Sequence, residues 1–154
     1  MINIAFIRSP IQAADIIVHP IYKETFFLII PHSHRLASRK KIRLIELADE
    51  PFIGLSRYSD LPIKNAILNI CGKAGFVPKI IHEAGHINTI GQLVENKLGY
   101  SIVPSGIKPA VKTKVKFFEL KEYPERAEIS LAYVPDCLSD TARLVVEMIL
   151  NQKF

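Results

Sequence analysis

The stretch Ile80–Pro104 constrains this chain more than any other. It reads Ile-Ile-His-Glu-Ala-Gly-His-Ile-Asn-Thr-Ile-Gly-Gln-Leu-Val-Glu-Asn-Lys-Leu-Gly-Tyr-Ser-Ile-Val-Pro. A short apolar strand ends at Gly85, which permits a tight turn. Apolar residues then recur at Ile87, Ile90, Val94 and Leu98, a spacing of three and four that lays one stripe along a helix. Gly99 sits where the residue just past a helix takes positive φ. Tyr100–Val103 reads as a second strand, and Pro104 stops it. Such a strand–helix–strand unit crosses over right-handed into a parallel sheet. Its helix N-terminus, near His86–Asn88, offers backbone N–H groups without helical partners and a partial positive charge. That end lies at the carboxyl end of the first strand, where open α/β sheets bind small ligands.

The flanking sequence repeats the theme. Ile2–Ile7 is a nearly continuous apolar run and predicts a strand buried on both faces of a parallel sheet. It ends in Arg8-Ser9-Pro10. A planar guanidinium there is well placed for a carboxylate, and a surface arginine at a strand end is an equal alternative. Ile16–Tyr22 and Thr25–Ile30 predict two more strands. Leu44–Ala48 predicts a short helix and Pro51–Leu55 a buried strand. The polar loop Ser56-Arg57-Tyr58-Ser59-Asp60 follows, with Asp60 as the expected N-cap of the next helix. That helix carries Ile63, Ile67, Ile70, Cys71 and Ala74 on one face and ends at Gly75. Cys71 therefore reads as a core thiol. Ser105–Val111 predicts one or two helical turns, and Val115–Leu120 and Ala127–Val134 predict strands. Ser139 or Asp140 caps a last helix with Ala142, Val145, Met148 and Ile149 in its stripe. Strands alternating with helices give an α/β fold. Arg8-Ser9, Ser56–Asp60 and Gly85–Asn88 are then three polar strand ends able to face one crevice.

Several functions are disfavoured by composition. At 154 residues, 49% hydrophobic and 23% charged, the chain suits one ordinary core or two small lobes. The apolar run Phe26–Ile30 is far too short to span a bilayer. Two cysteines without a visible export signal point to reduced thiols. No CxxC or HExxH occurs, and His32 and His34 lack a third ligand nearby, so no metal is expected. The net charge of +5 and pI near 9.2 raise nucleic acid as a partner, but the basic residues form no aromatic-interleaved stripe. The one dense cluster, Arg35–Arg43, reads as a solvated loop, with an anion or partner contact second. His86 is the best candidate for acid–base chemistry, yet no nucleophile is tied to it by spacing, so an enzyme is not expected.

Particular segments carry a family resemblance. They are Ile4–Arg8; His19-Pro20-Ile21-Tyr22 with Phe27–Pro31 and His34–Ala37; Leu44–Ile53; Ala74–Pro78; and Leu93 through Leu98-Gly99-Tyr100-Ser101-Ile102-Val103-Pro104. In this order and spacing the chain resembles, over essentially its whole length, the effector-binding domain of LysR-type transcriptional regulators. The resemblance implies two Rossmann-like lobes of the type 2 periplasmic-binding-protein kind. Residues 1–22 and 127–154 would form lobe I, and residues 23–126 lobe II. It also implies a small effector, a carboxylate or other anion, bound between them by Arg8, Ser9, Ser56, Arg57, Tyr58, Ser59, Gly85, His86, Ile87, Asn88 and Pro104.

The family's winged-helix head, linker helix and first strands have no counterpart here. The expectation is thus an N-terminally truncated sensor with an incomplete first lobe, which contacts DNA only through the missing head. It would be cytoplasmic, without cofactor or membrane contact, and homo-oligomeric through a sheet edge near Ile2–Ile7. A solute-binding protein of the periplasmic type shares the fold and is the alternative.

Overall fold

A computed structural model describes residues 4–9, 13–56, 61–107 and 114–152. The chain divides into two compact units, Met1–Glu24 with Ala127–Phe154, and Thr25–Arg126.

In the first unit, β1 (Ile4–Ser9) and β2 (Ile17–Glu24) both pair with β8 (Ala127–Tyr133), which lies between them. Both pairings are antiparallel, with Ile4 opposite Tyr133 and Ile17 opposite the same residue. This corrects the expectation of a doubly buried parallel strand at Ile2–Ile7. The partner of β1 arrives from the far end of the chain and runs the other way, and Phe6 is 60% exposed. A continuous apolar run thus marked a strand but not its partner's direction. The register of β2 shifts between Pro20 and Tyr22, where proline has no N–H for the ladder. Beside that shift, His19 stacks on Tyr133 and their side chains meet at 3.2 Å.

Helix α3 (Asp140–Leu150) is capped by Ser139, whose hydroxyl accepts from the Ala142 N–H at 3.2 Å. Its buried residues are Ala142 and Val146, whereas Val145 is 40% and Met148 64% exposed. The expected stripe thus holds at buried Ala142 and half-buried Ile149, while Val146 is buried in place of Val145 and Met148. Six of the last seven helix residues are apolar apart from Glu147, so spacing alone could not select the buried face.

The second unit is built on β3 (Phe26–Pro31), buried at every residue. It is flanked antiparallel by β6 (Ser101–Pro104) and β7 (Val115–Glu119). β4 (Pro51–Leu55) and β5 (Lys79–Ala84) form a parallel pair. One parallel bridge joins Phe52 to Tyr100, with Tyr100 N–H donating to Pro51 O at 3.0 Å and Ile53 N–H to Tyr100 O at 2.9 Å. The buried Ser101 hydroxyl adds a 2.7 Å bond to Ile53 O. The crossover from β5 thus returns parallel to β4, as the spacing predicted. β6 then goes on antiparallel to β3, which the spacing did not predict.

Helix α1 (Leu61–Lys73) buries Ile63, Ile67, Ile70 and Cys71, the expected face. Burial pushes the Cys71 thiol up to about 12, so it packs as an apolar group. Gly75, at φ +93°, closes this helix, with Gly75 N–H bonded to Gly72 O and Phe76 N–H to Cys71 O. Helix α2 (Ile87–Glu95) closes by the same pair of bonds, Lys97 N–H to Val94 O and Leu98 N–H to Leu93 O.

The left-handed residue that closes α2 is Lys97, at φ +64°, and Gly99 two residues later takes positive φ as expected, +154°. Gly99 also answers a second need. A Cβ on it would lie 2.4 Å from Pro51 O, where the chain crosses β4. Leu98, expected in the helix stripe, falls past the helix end and is 41% exposed. Leu44–Leu47 and Ser105–Ile107 are 3-10 turns where short helical pieces were expected. Asp60 and Val111 lie outside the described residues.

Candidate functional site

Three runs of the second unit end on one edge because they are parallel: β4, β5, and the Tyr100 bridge leading into β6. Their carboxyl ends bring Ser56, Gly85 and Pro104 to the same side. A backbone bond from Ser56 N–H to Ala84 O, 3.0 Å, ties the first two ends together. Arg57, Tyr58 and Ser59, which continue the Ser56 loop, lie outside the described residues.

Gly85 is exposed, and a Cβ on it would meet nothing within 4 Å. Its φ is not positive, so the turn does not demand glycine there. The small residue instead leaves open space in front of α2.

His86 is the N-cap of α2, with extended backbone and no side-chain capping bond. Its carbonyl accepts from Thr89 N–H at 3.1 Å and Ile90 N–H at 3.3 Å. The N–H groups that open α2 have no intrahelical acceptor by helix geometry. No acidic residue sits in this first turn, so its positive end is not neutralised locally. His86, Asn88 and Thr89 are exposed around it, and Ile87 is half-buried. Ile90, Gly91 and Val94 hold the helix down on the sheet. A helix start of this kind, without a side-chain cap or an acidic residue, can receive an anion on its backbone donors.

Pro104 behaves differently. It is buried at the end of β6 and paired with Phe26. Thr89 was not singled out from the sequence. Its place in the first turn, one residue beyond Asn88, was the available signal.

Arg8 belongs to the first unit. Its guanidinium donates to Glu24, a buried carboxylate, at 3.2 Å. An arginine at a strand end did point to a carboxylate, and one is supplied from within the chain. Ser9 pairs opposite Glu128 through the β1–β8 ladder. His34, one of the two spaced histidines, is engaged by Glu50. Among the described residues no group of three or more His, Cys, Asp or Glu side chains gathers as a metal site. No helix among them is long and apolar enough to cross a membrane.

A family profile described as the LysR substrate binding domain matches residues 1–153. The chain belongs to the LysR substrate binding domain family. Among curated relatives, the HTH-type transcriptional regulator YwbI of Bacillus subtilis is 42% identical over 87 residues, which is 56% of this chain and 28% of YwbI. AlsR of the same species is 27% identical over 135 residues, covering 88% of this chain and 45% of AlsR. The matched stretch thus spans less than half of either regulator. Among solved structures, the effector binding domain of QuiR in complex with shikimate superposes with a TM-score of 0.85. It has 23% identity and covers 98% of this chain and 71% of that one. The BenM effector binding domain with benzoate gives 0.77 at 23% identity, covering 97% and 68%. At this identity the likeness concerns the fold. It agrees with the α/β, type 2 periplasmic-binding-protein architecture expected of a LysR substrate binding domain.

Proposed function

We propose that this LysR substrate binding domain is the sensing part of a cytoplasmic, DNA-binding transcriptional regulator, and that its effector is a small carboxylate or other anion. The observation that carries the reading is the open carboxyl edge at Ser56 and residues 85–88, where the uncapped, acid-free first turn of α2 faces free space over Gly85. Shikimate and benzoate, the ligands named with QuiR and BenM, are both carboxylates. Effector binding would favour one arrangement of the regulator over another and so change how it engages DNA. The curated relatives are regulators, which favours this reading over a solute-binding protein or an enzyme. Arg57, Tyr58 and Ser59 are proposed to act with Ser56. A homo-oligomer is the assembly this reading implies.

A panel of small carboxylates, shikimate and benzoate included, tests the proposal by amide chemical-shift titration. A binding member should move the resonances of Ser56 and residues 85–88. Gly85→Leu should abolish those shifts, since it fills the open space, while the melting temperature stays within a few degrees of the parent. A panel that leaves these amides unmoved throughout, or a Gly85→Leu variant that binds as well as the parent, would sink it.

A further inference from the structure

The basic cluster around residues 35–43 divides in two. Its three arginines are tied back onto the 3-10 turn. Arg35 donates to Glu50 at 2.6 Å and to Glu46 O at 2.7 Å. Arg39 pairs with Glu46 at 2.7 Å, and Arg43 approaches the same carboxylate at 3.9 Å. Lys40 and Lys41 have no carboxylate partner among the described residues. Neither has Lys116 of β7, which the fold brings to the same place although it lies some 75 positions further along the chain. Together with Arg39, these lysines line a cavity of about 320 Å³. Its lining is mixed and more polar than apolar, with Phe118 and Leu120 beside the lysines and with Glu119 and Glu122 also taking part. Glu119 is already held by Lys121 at 3.4 Å and by the Thr25 hydroxyl at 3.5 Å.

Ammonium groups left unneutralised around a concave, partly apolar surface focus a positive potential. A lysine serves as a point charge for phosphate. The nearby carboxylates would repel a ligand that is negative throughout, but they accept hydrogen bonds from hydroxyls. The volume is at the lower end for small-molecule sites.

We infer that this cavity, between residues 37–42 and β7, is a second ligand site for a small phosphomonoester carrying hydroxyl groups. It is separate from the edge at Ser56 and residues 85–88. β7 stands at one end of the strand succession β7–β3–β6 and β5 at the other, beyond the Tyr100 bridge to β4. The inference does not rest on the effector reading.

Glucose 6-phosphate is the probe, titrated into the whole chain at low salt and followed by amide shifts. Saturable shifts are expected at residues 37–42 and 116–120, with a dissociation constant below about 10 mM. The triple variant Lys40→Ala/Lys41→Ala/Lys116→Ala should weaken binding at least tenfold. Its melting temperature should hold, because all three side chains are exposed. Glucose alone should leave these amides unmoved. The inference is overturned by shifts confined to Ser56 and residues 85–88, by absence of saturation, by an unaffected triple variant, or by glucose binding as well as its phosphate. Saturation of the same residues by duplex DNA but not by glucose 6-phosphate would equally overturn it, and would assign the face to a nucleic acid backbone.

Discussion

Two residues at the end of α2 both take positive φ. Lysine occupies the left-handed position after α2, at φ +64°, a conformation that disfavours a side chain. Glycine comes two residues later, where a Cβ would press on Pro51 O at 2.4 Å. Lys97→Gly should therefore raise the stability of the domain by roughly 1 kcal/mol, as it relieves the left-handed strain. Gly99→Ala should lower it by about 2–4 kcal/mol, because backbone must move to admit the methyl group. Urea unfolding of both variants checks the pair, and equal effects would refute the assignment. The sequence signal was real at both sites. A glycine after a helix marks a place where a side chain is costly, and at Gly99 both a positive φ of +154° and the crossing strand make it so. At Gly75 φ alone is the cause.

At the scale of elements, periodicity located helices and strands, and was least selective where apolar residues crowd more than one face or where charge did the folding. α1 carries Leu61 and Leu68 off its buried face, yet the spacing of Ile63, Ile67, Ile70 and Cys71 kept that face legible. In α3 the expected stripe holds at Ala142 and Ile149 but takes Val146 in place of Val145 and Met148. The turn at Leu44–Leu47 is held by carboxylates that no hydrophobic pattern reveals. Burial by itself raises the Glu50 carboxyl, but the His34 and Arg35 hydrogen bonds and charges outweigh it, leaving the group below its ordinary 4.5. The sign follows: a lowered folded-state value stabilises the protein above about pH 4.5, and that contribution fades as pH falls below it. Glu50→Gln should cost on the order of 1 kcal/mol at neutral pH, a modest figure because Arg35 is half exposed. The gap between parent and variant should close near about pH 3. Paired denaturant curves at the two pH values measure it, and a gap independent of pH would exclude the ion-paired account. The candidate site was legible at this scale too, since strand ends before helix starts are visible in the sequence. What was not visible is that Lys116 comes beside Lys40 and Lys41, because nothing local connects them.

For the whole molecule, the two units differ in what they bury. The second packs Phe26, Leu28, Ile29, Ile30, Phe52, Ile53, Ile70 and Tyr100. The first relies on Leu131 and Val146 with the smaller Ala127, Ala132 and Ala142. Amide hydrogen exchange should accordingly report openings of β8 that are roughly 2 kcal/mol or more easier than those of β3. Equal protection of both strands would contradict this. The family resemblance foresaw two lobes from the order of short segments. The antiparallel seating of β1 was missed because a strand's sequence carries its own period but not its partner's heading.

That seating also orders events in time. β1 and β2 leave the ribosome before the strand that joins them, which begins at Ala127, about a hundred residues after β2. At about 5–20 residues per second, they wait roughly 5–20 s for β8. By the end of that interval the contiguous second unit has been made in full, so it can close before β8 is available. A nascent chain should therefore carry a folded second unit while β1 and β2, with Phe6, Ile17 and Tyr22, are still open to chaperones and proteases.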